Sequence, residues 1–390
     1  MDLSYCYKLG HQPEIGQQEF QYLTGVKDII LDSGFILSNS YIDAQKTGSL
    51  VYTSKVIRTW KVNINKISSS EVCKLISHEL LKDNHSQEIP KKIGVILPSS
   101  WKSKALSNLK TEGVKKINFL ATSTNLNYGH WKQTKNWFLL LQLKKVVVLV
   151  KILNHSDQEF WQYLDSSLPA GEMSRGMINL KLARSLLNLS TFDTVWDPFC
   201  GYGRIGVAGL DIIKRFIYSD IQADLLSTAV KQNYEFAEVS WSKYGFKQRL
   251  QESKKLAKLQ AIFELDIKGL DKQKMIKHQE LAQLSIVTEG YLGKNFNHLP
   301  TYQEIKNEWV QLKNLWQEVI TKADRLMIPE IIFCLPYYNL KNQQLLPDFI
   351  DNLIVNTNYH LSKFNGRRCL LYSRKSSYTG HCIIRLSTNI

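Results

Sequence analysis

Residues Trp196 to Gly206 read W-D-P-F-C-G-Y-G-R-I-G, with Asp197 four residues ahead of Gly201. An apolar run (Thr194, Val195, Trp196) precedes them and a helix-like run follows, so the stretch reads as strand, turn and helix. Closely spaced glycines let a backbone approach a bound group, and the start of a helix offers unpaired N–H groups. A dinucleotide turn would be G-x-G-x-x-G with no acid before its first glycine. The Asp197 carboxylate would repel a pyrophosphate, but it can accept hydrogen bonds from a cationic amino-acid moiety. That points to S-adenosylmethionine, held by Asp197, Pro198, Phe199, Cys200, Gly201 and Gly203. The bland alternative is a plain glycine-rich turn.

D-P-F-C-G-Y-G resembles the first motif of amino-group methyltransferases that act on nucleic acids. The preceding G-M-I-N-L-K-L-A-R-S-L-L-N-L (Gly176 to Leu189) resembles the segment before that motif in tRNA guanosine-N2 methyltransferases that carry an N-terminal THUMP-type RNA-binding domain. Y-K-L-G-H-Q-P-E-I-G-Q-Q-E-F (Tyr7 to Phe20) is similar to that family's opening strand and helix. The resemblance implies a class I, S-adenosyl-L-methionine-dependent enzyme. It would act on the guanosine at tRNA position 10, in the cytoplasm, and a small activator subunit is left open.

Two further acids fall where successive strands should end. Asp220, in Y-S-D-I, can take both ribose hydroxyls of a nucleoside. Asp266, in F-E-L-D-I, can accept from the adenine amino group, and Ile221 and Ile267 would wall the adenine ring. Each Asp alone is ordinary turn chemistry; three in register after such a turn form a set. At the fourth strand end the family generally shows D-P-P-Y or N-P-P-Y, whereas this chain has V-T-E-G-Y-L-G (Val287 to Gly293). An exocyclic amine needs acceptors for its two N–H groups and a ring stacked on its base. Glu289 can be the acid, Tyr291 can stack, and the missing proline's carbonyl falls to Gly290 or Glu289. Either this is a variant active site, in which positioning and electrostatics do the catalysis, or the site has lost activity.

The elements that must position these residues follow from pattern. A chain of 390 residues with 44% hydrophobic residues predicts two or three folded domains. From Thr194 onward strands alternate with helices: Thr194–Trp196, Phe216–Ser219, Ala261–Leu265, Leu284–Thr288, Glu330–Leu335, Cys369–Ser373 and His381–Leu386. Seven strands, the last two a hairpin, predict an α/β, Rossmann-like methyltransferase sheet over residues 176–390. The helix from about Tyr302 to Ala323 repeats Ile305, Trp309, Leu312, Trp316 and Val319, so its tryptophans read as core rather than base-stacking groups. Upstream the pattern gives an α+β region, in which the resemblance implies a ferredoxin-like subdomain over residues 1–60, a THUMP-like RNA-binding domain over 61–155 and a linker over 156–175. Strands are expected there at Ser4–Leu9, Phe35–Leu37, Leu50–Thr53, Thr59–Ile64 and Ile93–Leu97. Helices are expected at Pro13–Leu23, Ser68–Leu81 and Ser99–Lys110, with a hairpin from Trp137–Leu143 and Val146–Leu153.

A formal charge of +15, from 50 Lys+Arg against 35 Asp+Glu, fits either a polyanionic partner or a solvated basic surface. Beside the motif, structured RNA such as tRNA is the expected partner. Two basic groups stand out: Lys243, Lys247, Arg249, Lys254, Lys255 and Lys258, read as a solvated face, and Arg367, Arg368, Arg374, Lys375 and Arg385, read as candidates for phosphate contact. Six scattered cysteines without a C-x-x-C pair suggest neither a metal site nor a disulfide framework, and a reducing compartment. Lys144, Lys145 and Lys151 interrupt the longest apolar stretch, so no membrane partner is expected. Two rivals remain: adenine-N6 or cytosine-N4 methylation of rRNA or DNA, and a non-catalytic RNA-binding protein that keeps the fold.

Overall fold

Apolar residues on both faces of Tyr5–Leu9 (β1) require a strand covered on two sides: Cys6, Tyr7 and Leu9 are all buried. β1 sits inside an eight-stranded sheet of the first of two compact units, Met1–Glu159. Its other strands are Ile30–Asp32 (β2), Phe35–Ser38 (β3), Leu50–Trp60 (β4), Lys92–Leu97 (β5), Lys116–Ala121 (β6), Trp137–Gln142 (β7) and Val147–His155 (β8), in the order β2-β3-β1-β4-β8-β7-β5-β6. The structure, a computed structural model, describes residues 3–26, 29–32, 34–83, 92–121, 134, 136–144, 146–171, 177–241, 258–261, 281–294, 296, 298–340, 343–374 and 377–388.

Where two short strands were expected at Leu50–Thr53 and Thr59–Ile64, β4 is one strand of eleven residues. Its register against β8 shifts between Val56 and Arg58, which breaks the alternation that would have marked it as continuous. β4 pairs β1 on one side and β8 on the other, so the regions expected either side of residue 60 share one sheet. The β7–β8 hairpin forms as expected. Helices Ser69–Asp83 and Lys102–Thr111 cover one face, burying Val72, Ile76, Ala105 and Leu109.

The second unit is Phe160–Ile390. Its strands are Thr194–Asp197 (β9), Arg215–Tyr218 (β10), Lys258–Ala261 (β11), Leu284–Val287 (β12), Glu330–Leu340 (β13), Gln343–Leu345 (β14), His360–Leu361 (β15), Leu370–Tyr372 (β16) and Thr379–Ser387 (β17). The order β11-β10-β9-β12-β13-β17-β15 has five parallel strands, then β17 antiparallel to β13 and paired with β16. This is a Rossmann-like sheet, whose crevice opens where strand order reverses, between β9 and β12. All seven expected strands have counterparts, and β14 and β15 are additions too short to show alternation. β11 shares Ala261 with the expected Ala261–Leu265, whose residues 262–265 lie outside the described residues.

Three local devices fix the frame beneath the crevice. Asn179 caps the helix Leu180–Asn188, accepting from the Lys181 and Leu182 amides. The helix Tyr302–Arg325 opens on a capping box, Thr301 with Glu304, and buries Ile305, Trp309, Leu312, Trp316 and Val319; its tryptophans are core, as the spacing predicted. Burying a side chain such as Leu312 contributes roughly 1.5–3 kcal/mol. The third lies in the segment expected as a linker. It carries the helix Gln158–Ser167, whose Phe160 and Trp161 pack edge-on against Trp241 and its own neighbour, so it belongs to the second unit's core.

Candidate active site

β9 delivers Asp197 to the crevice. The chain then turns through Pro198 to Gly203, with Gly201 at φ 46° and Gly203 at φ 74°, before the helix Arg204–Ala208. Those left-handed angles favour glycine, but the two glycines differ. A side chain at Gly203 would strike Val230 at 2.9 Å, whereas one at Gly201 would meet nothing within 4 Å. Gly201 therefore faces open space and Gly203 serves packing. β10 delivers Asp220, whose Oδ2 accepts from the Gly201 amide (3.0 Å) and Oδ1 from the Gln222 amide (3.0 Å). Asp220 thus ties the glycine turn to the next strand end.

β12 delivers Thr288, Glu289 and Gly290. Gly290 stands at φ 72°, and a Cβ there would lie 2.3 Å from the Trp316 ring. The backbone after Glu289 rests directly on that indole, which also meets Phe199 at a centroid distance of 5.5 Å. One buried tryptophan therefore supports the first and fourth strand-end motifs together. The Thr288 hydroxyl accepts from the Gly290 amide at 2.9 Å.

These strand ends enclose a cleft of about 240 Å³ lined by Asp197, Phe199, Cys200, Gly201, Asp220, Glu289, Gly290 and Tyr291, with Met177, Ile178 and Arg204. It is acidic inside a chain of net charge +15. Asp197 is 2% exposed. Burial pushes its carboxyl up to about 7, against the pull of the Thr288 hydroxyl and the Phe199 amide, and the charges of Asp220 and Glu289 push the same way. Burial likewise raises the Cys200 thiol far above the ordinary range, so it is no nucleophile. Arg204 is held from behind: its Nε donates to the Ile178 carbonyl (2.7 Å) and its guanidinium pairs with Asp165.

No protein-family model matches the chain, and no curated protein does. Among solved structures it is similar to a predicted N6-adenine-specific DNA methylase of Listeria monocytogenes, at 11% identity and TM-score 0.40 over 98% of this chain and 95% of that one. It is similar to a possible methylase of Clostridium difficile, at 10% identity and TM-score 0.42 over 98% and 97%. An rRNA methyltransferase of Streptomyces viridochromogenes matches at 13% identity and TM-score 0.32 over 59% and 92%.

Of the residues singled out in the sequence, Asp197, Phe199, Cys200, Gly201, Asp220, Glu289, Gly290 and Tyr291 meet around one cleft. Pro198 is buried in the turn and, with Gly203, lies outside the lining. Ile221 is 80% exposed beside Asp220, also outside the lining. Asp266, Ile267 and the basic residues from Lys243 to Lys255 lie outside the described residues.

Arg385 needs a correction. Expected near the active-site face, it is bonded to Glu330 and Thr191 at the opposite ends of the strands, because β17 runs antiparallel and carries its later residues away from the cleft. The same reversal brings in a residue the sequence reading missed. His381, early in β17, places Nε2 2.7 Å from Glu289 Oε1. Its signal was topological: a histidine at the start of the last, reversed strand. Thr288 and Arg204 were also missed, each hidden beside a stronger motif residue.

Proposed function

We propose that this chain is an S-adenosylmethionine-dependent methyltransferase that modifies the N2 amine of a guanosine in tRNA, with position 10 the site its family resemblance suggests. The observation that carries the reading is the meeting of Asp197, Asp220 and Glu289 around a glycine turn at the reversal point of the sheet.

The cleft suits the cofactor. Gly201 leaves room for close approach, and Asp197 is a buried acid with no cationic partner among the described residues, suited to an ammonium group. Each Asp220 oxygen spends one lone pair on a backbone amide and keeps one for a ribose hydroxyl. Ile221, bare and next to Asp220, is the side chain an adenine ring would cover. Bound there, S-adenosylmethionine would supply a methyl group activated by a sulfonium.

Glu289 favours guanine among the amine-bearing bases. Among the described residues its Oε2 has no hydrogen-bond partner, and a carboxylate only accepts. Guanine offers adjacent N1–H and N2–H donors, whereas adenine and cytosine set an acceptor beside their amine. When the amine nitrogen takes the methyl group and the departing sulfur keeps the C–S bonding pair, Oε2 of Glu289 would accept the proton the amine sheds and pass it on to water. Tyr291, 48% exposed and lining the cleft, would stack on the base. The first unit, an α+β fold in a strongly basic chain, supports a role in docking tRNA.

The test is methyl transfer to unmodified tRNA, rRNA and duplex DNA, followed by mass spectrometry of the nucleosides. N2-methylguanosine in tRNA is expected. N6-methyladenine or N4-methylcytosine would select the rival chemistry, and cofactor binding without transfer to any of the three would select the non-catalytic reading.

A further inference from the structure

Glu289 and His381 belong to strands that are not neighbours. β12 and β17 are separated by β13, and the residue of β13 opposite His381 is Pro336. Their side chains reach across that strand to meet at 2.7 Å, each 19% exposed. His381 is fixed from the other side as well, since Tyr372 of β16 pairs with it in register and meets its ring edge-on at 5.7 Å. The imidazole is therefore braced between two strands while one nitrogen faces the carboxylate.

The proton's position follows from the partners. An ionised carboxylate cannot donate, so the bond requires hydrogen on Nε2. Nδ1 is buried and has no hydrogen-bond partner among the described residues. A buried N–H without an acceptor is rarer and more costly than an under-used acceptor. The neutral imidazole with hydrogen on Nε2 and a bare lone pair on Nδ1 meets both conditions. The alternative tautomer would set two acceptors against each other at one end and strand a donor at the other.

We propose that His381 is the positioning residue of this site: its Nε2–H holds Oε1 of Glu289 and so presents Oε2 to the exocyclic amine of the base. Glu289 has one more methylene than the aspartate of the D-P-P-Y pattern and is followed by glycine where that pattern has proline, so its carboxylate has an extra rotation to be restrained. The imidazole supplies that restraint and stays neutral while Oε2 takes the amine proton. For its consequence the assignment rests on the methyltransferase reading; the hydrogen bond itself does not.

Three variants and one spectrum test it. His381→Leu should lower kcat roughly 10- to 100-fold, the scale of losing a group that orients another, with KM for tRNA and cofactor affinity within about threefold. His381→Gln, whose amide nitrogen ends where Nε2 stands, should recover most of that loss. His381→Asn, whose amide ends at the Nδ1 position, should not. In the apoprotein, nitrogen NMR should show the imidazole proton on Nε2, with the preference weakened in Glu289→Gln. A wild-type protein that methylates no nucleic acid overturns the methyltransferase reading, and the spectrum then still decides the hydrogen bond. An active wild type whose Leu variant keeps its kcat, whose Gln and Asn variants fall equally, or whose imidazole carries its proton on Nδ1, overturns the role of His381 alone.

Discussion

The two ends of the second sheet each bury a carboxylate, and they treat it in opposite ways. At the amino ends of the parallel strands, Glu330 is 1% exposed and surrounded by partners: Arg385, the Ser190, Thr191 and Ser285 hydroxyls and the Thr191 amide, all within 2.5–3.0 Å. At the carboxyl ends Asp197 is 2% exposed, and its pKa stands at about 7 because burial outweighs the hydrogen bonds it receives. A carboxylate saturated with donors and a cation belongs to the architecture. One short of positive charge among the described residues, in a cleft, marks a candidate ligand site. Burial alone would not have separated them.

Removing a partner at the saturated end should have the largest effect. Arg385→Leu leaves Glu330 buried without its cation, and should destabilise the second unit by about 3–5 kcal/mol in chemical denaturation. Cofactor affinity of the protein that remains folded should be unchanged. If stability is unaffected, the contrast between the ends collapses.

At the cleft, Glu289→Gln should lower methyl transfer roughly 10²–10³-fold, while calorimetry finds cofactor affinity little altered. Near-normal turnover would make this carboxylate structural, like Glu330. Asp220→Ala should weaken S-adenosylmethionine binding by roughly 1.5–3 kcal/mol, read by titration calorimetry. Unchanged affinity in the folded variant would remove Asp220 from the site.

The pH dependence of Asp197 is the most discriminating effect. The folded pKa of Asp197 is raised from 3.8 to about 7. Its contribution to stability is therefore fully present below about pH 4 and is lost as pH rises through 7. Asp197→Asn should melt near the wild type at pH 4 and roughly 10 °C or more above it at pH 8, while binding the cofactor more weakly. A variant less stable than wild type at pH 8 would mean that the charged acid is satisfied within the fold.

The contrast also marks what a sequence can disclose. The cleft's residues were legible because strand, acid and glycines are contiguous, and because successive parallel strands end on one side by rule. Glu289 and Tyr291 stood out as chemistry at the expected strand end. His381 and Arg385 were not legible: both sit on β17, and only its antiparallel direction sends one to the cleft and the other to the far end. Continuous β4 was read as two strands because its irregularity lies mid-strand, where alternation is the only guide. Ile221 was expected to wall a pocket, and its exposure is visible only once the turn after β10 is placed.

Trp316 carries a historical consequence. Its ring occupies the space a side chain at residue 290 would need, and the backbone there has the sign of φ that proline cannot adopt. A step from this motif toward a proline-bearing one is therefore closed while the tryptophan stays, and exchanging the tryptophan first would remove the support shared with Phe199. Gly290 and Trp316 can change only as a pair.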